Sequence, residues 1–367
     1  MSSLEPEPST LFKYVDLSLP LDVDSPILGH TRKRMNPPPP NFTKSKRPKI
    51  AFGPRPSLGA GTPPTRAEDP ELWEVHDAVL RADSTGTHFA LCIRFAFDQI
   101  LDGQRTGRWD VTQLSKTEKT HIGTLVEIWL QREFQFEDGH HLDFAISGID
   151  VDCKWSQNIY EWEIPLEMYS DRNEIALVVW ANEDTARWAA GLVRIAESVL
   201  KPMGKQRDKK RRLNDTGIDS ILWIFREQPM IRNVLNEHQS VAARLAAQNS
   251  GQAAVNLLFR EVQGRLINQS TIATAAQQID ASKRARDARR HLASEGILVL
   301  GPYQAHAAIA AELGLPRPGR SQFVSARVTP FSDGDSGDSA EIDGTSWRLA
   351  IESDPVIAAP RLPKVSW

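Results

Sequence analysis

Residues 142–154, LDFAISGIDVDCK, decide how the rest of the chain is read. Two short alternating runs rich in Phe, Ile and Val flank Ser147-Gly148, the pattern of a β-hairpin closed by a two-residue turn. With that turn Asp143 lies directly opposite Asp152, and directly opposed residues share one face of a ladder. One face then carries Asp143, Ala145, Asp150, Asp152 and Lys154. The other carries Phe144, Ile146, Ile149, Val151 and Cys153, which suits a core. Two carboxylates facing each other across a ladder repel by a few tenths to about 1 kcal/mol. A divalent cation held between them reverses the sign of that interaction. A solvent-facing hairpin alternates apolar and charged residues in the same way, so the hairpin alone leaves a metal site and a solvated face both open.

The chain around it has 367 residues, enough for two domains with cores of their own. Its 44 Lys and Arg against 47 Asp and Glu give a net charge of -3, so affinity for a polyanion must come from local basic patches. Cys92 and Cys153 are too few for a disulfide framework or a zinc site, and the pair suits a reducing cytoplasm. No run approaches the roughly 18 apolar residues of a membrane span, and the N-terminus lacks the apolar stretch of a secretion signal. The expectation is a cytoplasmic protein without membrane contact.

Residues 1–68 read as a solvated tail. Fourteen of the 24 prolines fall in the first 70 residues, and Arg32-Lys33-Arg34 and Lys44, Lys46, Arg47 and Lys49 bracket the run Pro37 to Pro40. Such a segment buries too little apolar surface to offset its ordering entropy. A DNA-attracting arm is the lesser alternative. From residue 69 to 200 the pattern is globular. Leu72, Val75, Val79 and Leu80 mark one helix and Phe89 to Ile100 a second, stopped by Asp102-Gly103. Ile100-Leu101-Asp102-Gly103 invites comparison with the K-x-D-G motif of DNA ligases, but Ile100 has no nucleophilic atom, and adenylation chemistry is excluded. Ser115 and Glu118 form a capping box, opening a helix with Ile122, Leu125, Val126, Trp129 and Leu130 on one stripe. Glu127 flanks that stripe, either as a surface residue or reaching over the acidic face of the hairpin. His140-His141 read as a solvated pair. The unbroken apolar run Ile175 to Trp180 suits a central strand covered on both sides, with Ala189 to Ile195 beside it. The sum is an α/β sandwich with a mixed sheet flanked by helices.

Residues 201–219 form a basic connector, whose first part, 201–212, sets Lys201, Lys205, Arg207, Lys209, Lys210, Arg211 and Arg212 against Asp208. A second domain is expected at 220–367. Ala254, Leu257, Leu258 and Val262 stripe a helix, and Ser270 caps a short one with Ile272, Ala275 and Ala276. After a turn at Gln278-Ile279, a third helix from Ala281 to Ala293 sets Ala281, Ala285, Ala288 and Leu292 on one stripe. Lys283, Arg286 and Arg290 lie on its opposite face, with Arg284 and Arg289 on the flanks. Small residues inward and long cations outward suit a helix laid in a major groove. Ile297 to Leu300 follows as a strand, and helix, helix, basic helix, strand is the order of a winged helix-turn-helix. Phe323 to Val328 and Trp347 to Ile351 read as further strands, with the acidic loop 332–338 exposed between them.

Asp152-Cys153-Lys154 at the end of a strand resembles the second half of the PD-(D/E)xK nuclease signature, although Leu142 stands where a Pro usually precedes the first Asp. Leu101-Asp-Gly-Gln-Arg-Thr-Gly-Arg-Trp109, Lys116-Thr-Glu-Lys-Thr-His121, Gly123-Thr-Leu-Val-Glu127, Arg132-Glu-Phe-Gln-Phe136, Val151-Asp-Cys-Lys154, Gly264-Arg-Leu-Ile267, Thr271-Ile-Ala-Thr274 and Gly314-Leu-Pro316 carry a broader likeness. Over residues 75–363 the chain resembles the NaeI-type (type IIE) restriction endonucleases. The resemblance implies a nuclease (Endo) domain of PD-(D/E)xK type and a helix-turn-helix (Topo-like) domain. It implies a homodimer acting on double-stranded DNA, with one copy of its site bound as allosteric effector and one cut. The catalytic set it implies is Glu127, Asp143, Asp152 and Lys154. Mg2+ would be held by Asp143 and Asp152 with help from Glu127. In the second domain DNA would meet the helix cations Lys283, Arg284, Arg286, Arg289 and Arg290. A cognate DNA methyltransferase would protect the host. The implied site is GC-rich and palindromic, GCCGGC. Two other readings stay open: a winged-helix DNA-binding regulator with a silent nuclease-like domain, and a non-specific or repair nuclease.

Overall fold

The structure, a computed structural model, describes residues 34–35, 37–40, 61–204, 209–278, 280–332 and 334–363. The described residues from 35 onward group as one compact unit. Arg32, Lys33, Lys44, Lys46, Arg47 and Lys49 of the expected tail lie outside the described residues, as do Lys205, Arg207 and Asp208 of the connector and Ile279. Residues 61–68, assigned to the tail by composition, are mostly exposed but are tied to α1 and to one another by hydrogen bonds. The Trp73 indole donates to the Pro64 carbonyl (2.8 Å), and the Glu68 carboxylate accepts from the backbone and hydroxyl of Thr65 (both 2.8 Å).

Helix α1 (Pro70–Ala82) starts where the Asp69 carboxylate accepts the Leu72 N–H, and its stripe of Leu72, Val75 and Val79 is fully buried. Helix α2 (Thr87–Leu101) buries Phe89, Ile93, Ala96 and Phe97 and ends on Asp102 at φ 44. A single turn, α3 (Gly103–Thr106), follows directly on the Asp102-Gly103 stop. Helix α4 (Lys116–Phe134) opens on the reciprocal Ser115/Glu118 box and buries Ile122, Leu125, Val126 and Leu130. Strands β1 (Glu137–Asp138), β2 (Phe144–Ile146), β3 (Ile149–Ser156), β4 (Ile175–Asn182) and β5 (Arg187–Arg194) follow. After the short helix α5 (Asp215–Asp219), β6 (Leu222–Pro229) completes a sheet in the order β1-β2-β3-β4-β5-β6. Of its strand pairs β3–β4 is parallel and the others are antiparallel, so the sheet is mixed.

The apolar run of β4 is continuous because both faces of the sheet are covered. Leu177 and Val179 lie in the core shared with α1, α2 and α4, while Ala176, Val178 and Trp180 pack against Trp162, Met168, Leu200 and Leu213 on the other side. The connector is therefore partly built in. Arg211 exchanges two backbone hydrogen bonds with Ile164 (2.8 and 2.9 Å), and Leu213 is buried against Leu200. Strand β6 also moves the first sheet past the boundary expected at 219. Phe225 is drawn in by Phe89 and Trp188, whose rings stack at 5.7 Å while Phe225 tilts against both.

The second half contains α6 (Val234–Glu237), α7 (Gln239–Ala246), α8 (Gly251–Glu261), β7 (Ile267–Asn268), α9 (Gln269–Ala276), α10 (Ala281–Leu292), β8 (Ile297–Leu300), α11 (Gln304–Glu312), β9 (Gln322–Pro330), β10 (Ala340–Ile342) and β11 (Thr345–Leu349). Strand β9 joins the second sheet together, pairing with β7, β8 and β11. Helix α9 starts after Asn268, ahead of the cap expected at Ser270. Helices α7 and α11 and strand β10 are not legible in the sequence as separate elements.

The halves interlock at the ligase-like segment. Trp109 is 6 % exposed and packs among Val234, Leu258 and Ala276 of the second half, while its carbonyl accepts from the Asn233 amide (3.3 Å). Beside it, a Cβ on Gly103 would come within 2.1 Å of the Thr274 hydroxyl and 2.7 Å of the Arg108 carbonyl, so this close approach of α3 to α9 requires glycine. Truncating Trp109 to Ala should cost about 3–5 kcal/mol, as for other buried aromatics. Chemical denaturation measures it, and a loss below about 1 kcal/mol would show that this side chain does not join the halves.

Candidate active site and nucleic-acid interface

Ser147 (φ 53) and Gly148 (φ 76) both take positive φ, the requirement of a type I′ two-residue turn. That turn sets the pairs Ile146↔Ile149, Ala145↔Asp150 and Phe144↔Val151. Continued by one step, the register puts Asp143 opposite Asp152, as the sequence predicts. Phe144, Ile146, Val151 and Cys153 are buried in the helix-covered core.

Past Val151 the β2 side of β3 has no further ladder partner in this register. The Asp143 carboxylate takes over there, accepting the Cys153 N–H at 2.7 Å. Asp152 is 6 % exposed and pairs with the Lys154 ammonium. Burial pushes the Asp152 carboxyl up to about 7; Lys154 opposes this, and the neighbouring Asp143 carboxylate reinforces it. Glu127, half-buried on α4, also has its carboxyl raised, first by burial and then by Asp143, with Lys154 acting against. Glu127, Asp143, Asp152 and Lys154 thus share one electrostatic neighbourhood at the open edge of β3. Asp150, placed by the sequence on the same acidic face, serves the backbone instead. Its carboxylate accepts the His140 and His141 N–H groups (2.9 and 3.1 Å) and holds the loop before β2. No sequence signal marks that role.

Among the described residues no three His, Cys, Asp or Glu side chains are grouped to hold a metal ion. Asp143 and Asp152 nevertheless fit Mg2+, which commonly takes one or two carboxylates and completes its octahedron with water and substrate phosphate. Their closeness under burial marks a place where two negative charges need either a proton or a cation.

Helix α10 buries Ala281, Ala285, Ala288 and Leu292 as the spacing predicts. Its five cations differ in their surroundings. Lys283 (3.5 Å) and Arg290 both pair with Asp287, and Arg284 pairs with Asp280 (3.2 Å). Arg286 is exposed and has no ion pair among the described residues. Arg289 turns inward: its Nε donates to the Val299 carbonyl at 2.8 Å, and burial lowers its proton affinity. That arginine is committed to joining α10 and β8. Among the described residues no helix is long and apolar enough to cross a membrane.

A family described as restriction endonuclease NaeI matches residues 74–358, which include both the β3 site and α10. The chain belongs to this family. It is similar to the type II restriction enzyme NaeI of Lentzea aerocolonigenes, with 42% identity over 309 residues covering 81% of this chain and 96% of that protein. The family match leaves residues 1–73 outside it.

The raised Asp152 gives a pH test independent of turnover. Between the unfolded carboxyl value of about 4 and the folded value of about 7, the folded state binds more protons than the unfolded one. Stability of the metal-free protein should therefore fall across that window as pH rises, with the penalty fully present above it. Thermal melts should show Asp152→Asn gaining on the parent from about pH 4 to 7 and levelling beyond. A difference that stays constant with pH would contradict the buried, proton-holding carboxyl.

Proposed function

We propose that this chain is a Mg2+-dependent type II restriction endonuclease that hydrolyses phosphodiester bonds of double-stranded DNA at a GC-rich palindrome such as GCCGGC. The observation that carries the reading is the opposed pair Asp143 and Asp152 beside Lys154, within a restriction endonuclease family. Mg2+, bound by Asp143 and Asp152 with Glu127 nearby, would supply Lewis-acid stabilisation of charge on the scissile phosphate. Asp152 holds Lys154 by an ion pair at the mouth of the site. The ammonium orients the attacking water and neutralises charge that grows on the phosphate. Glu127, with its raised proton affinity, can hold a proton beside this group. The helices α8, α9 and α10 followed by the antiparallel β8–β9 pair support a winged helix-turn-helix whose basic helix takes a second DNA copy as effector. A two-fold homodimer would place one site on each strand of a palindrome, and a methyltransferase would protect host DNA.

Incubating plasmid DNA with Mg2+ and sequencing the ends tests the reading. Discrete ends at one palindrome are expected. Asp152→Ala and Lys154→Ala should each lower cleavage at least about 100-fold, and Asp152→Ala should keep or strengthen DNA binding because it removes a negative charge facing phosphates. Full cutting by Asp152→Ala would refute the assignment. Binding without cutting by the parent protein would favour the regulator reading, and unordered ends the non-specific nuclease.

A further inference from the structure

Three arginines from three separate segments meet at the seam between the halves. Arg187 starts β5, Arg232 follows β6, and Arg265 precedes β7; with Thr185 and Glu237 they line an open cleft of about 380 Å3. All three are exposed. Among the described residues Glu237 is the carboxylate lining it, paired with Arg265 and, at 3.6 Å, with Arg232. The guanidinium groups therefore outnumber the acid by two. A carboxylate caught between arginines stands where a phosphate oxygen would be bound, since both anions suit the same planar donors.

The sheet register relates this cleft to the candidate active site. Lys154 pairs with Val178, Val178 with Gly191, and Asn182 with Arg187. Arg187 thus lies two strands across from Lys154 and four residues along, an even step that keeps both side chains on one face of the sheet. At about 4.8 Å per strand and about 3.3 Å per residue, the two positions are separated by roughly 16 Å. At about 3.4 Å of helix axis per base pair, that distance laid along the duplex axis spans about five base pairs.

We infer that Arg187, Arg232 and Arg265 form a backbone clamp that binds phosphates of the DNA copy being cut, about five base pairs from the scissile bond, and that DNA displaces Glu237 from the arginines. The inference rests on the reading of the Lys154 site as the cutting centre. It adds residues that neither the Asp143/Asp152 pair nor α10 includes.

Binding of a duplex carrying the cleaved site, followed by fluorescence anisotropy without divalent cations over a range of salt, tests it. Each of Arg187→Ala, Arg232→Ala and Arg265→Ala should flatten the slope of log K against log salt by about 0.9. Glu237→Gln should tighten binding, because the arginines lose their internal anion. A structural role alone would leave the slopes unchanged, or would make Glu237→Gln weaken binding along with the arginine variants, and either result overturns the clamp. Absence of salt-dependent binding in the parent protein would instead refute the DNA-cutting reading itself.

Discussion

A tight turn with two consecutive positive-φ residues is the constraint on which the candidate site depends. Ser147 and Gly148 fix the hairpin register, and a slip of one residue would send every side chain of β3 to the opposite face. In the observed register Val151 and Cys153 enter the core under α4, while Asp152 and Lys154 leave from the other face. Because β2 is short, β3 loses its ladder partner just where these residues stand. Asp143 fills the gap by accepting the Cys153 N–H, which fixes its carboxylate next to Asp152. One local conformation therefore sets the packing of the strand and the meeting of its acids.

Much of this is legible in the sequence because the relevant signals are short-range. The hairpin, the Ser115/Glu118 cap and the small-residue stripe of α10 each lie within a few turns or pairs of residues, and all three stand as read. What is not legible depends on distant partners. Leu222 to Phe225 looks like the start of a new unit until Phe225 meets the stacked rings of Phe89 and Trp188. Arg94 sits inside the apolar run of α2, and its buried guanidinium pairs with Asp98 (2.8 Å) and Glu183 (2.6 Å), a partner 89 residues away. Arg289 reads as one more cation of a basic helix, yet the Val299 carbonyl holds it against β8. Periodicity gives a side chain's face but not its partner.

The interlock at Trp109 joins these two kinds of information. The segment before α4 crosses from α2 into the core of the second half, and Arg108 next to it bonds both the end of α2, at the Leu101 carbonyl (3.1 Å), and Glu118 at the start of α4 (2.7 Å). The helix that carries Glu127 is thus tied at its first turn to the joint between the halves. Through these contacts the second half, with its basic helix, is joined to the half that carries the acids.

If Asp143 and Asp152 act as one pair of cation ligands, calorimetric titration of Mg2+ into the DNA-free protein tests them most directly. The expected result is a binding heat that disappears in Asp143→Asn and in Asp152→Asn alike, with the double variant no worse than either single one. Mg2+ binding that survives unchanged in both single variants would contradict the pairing.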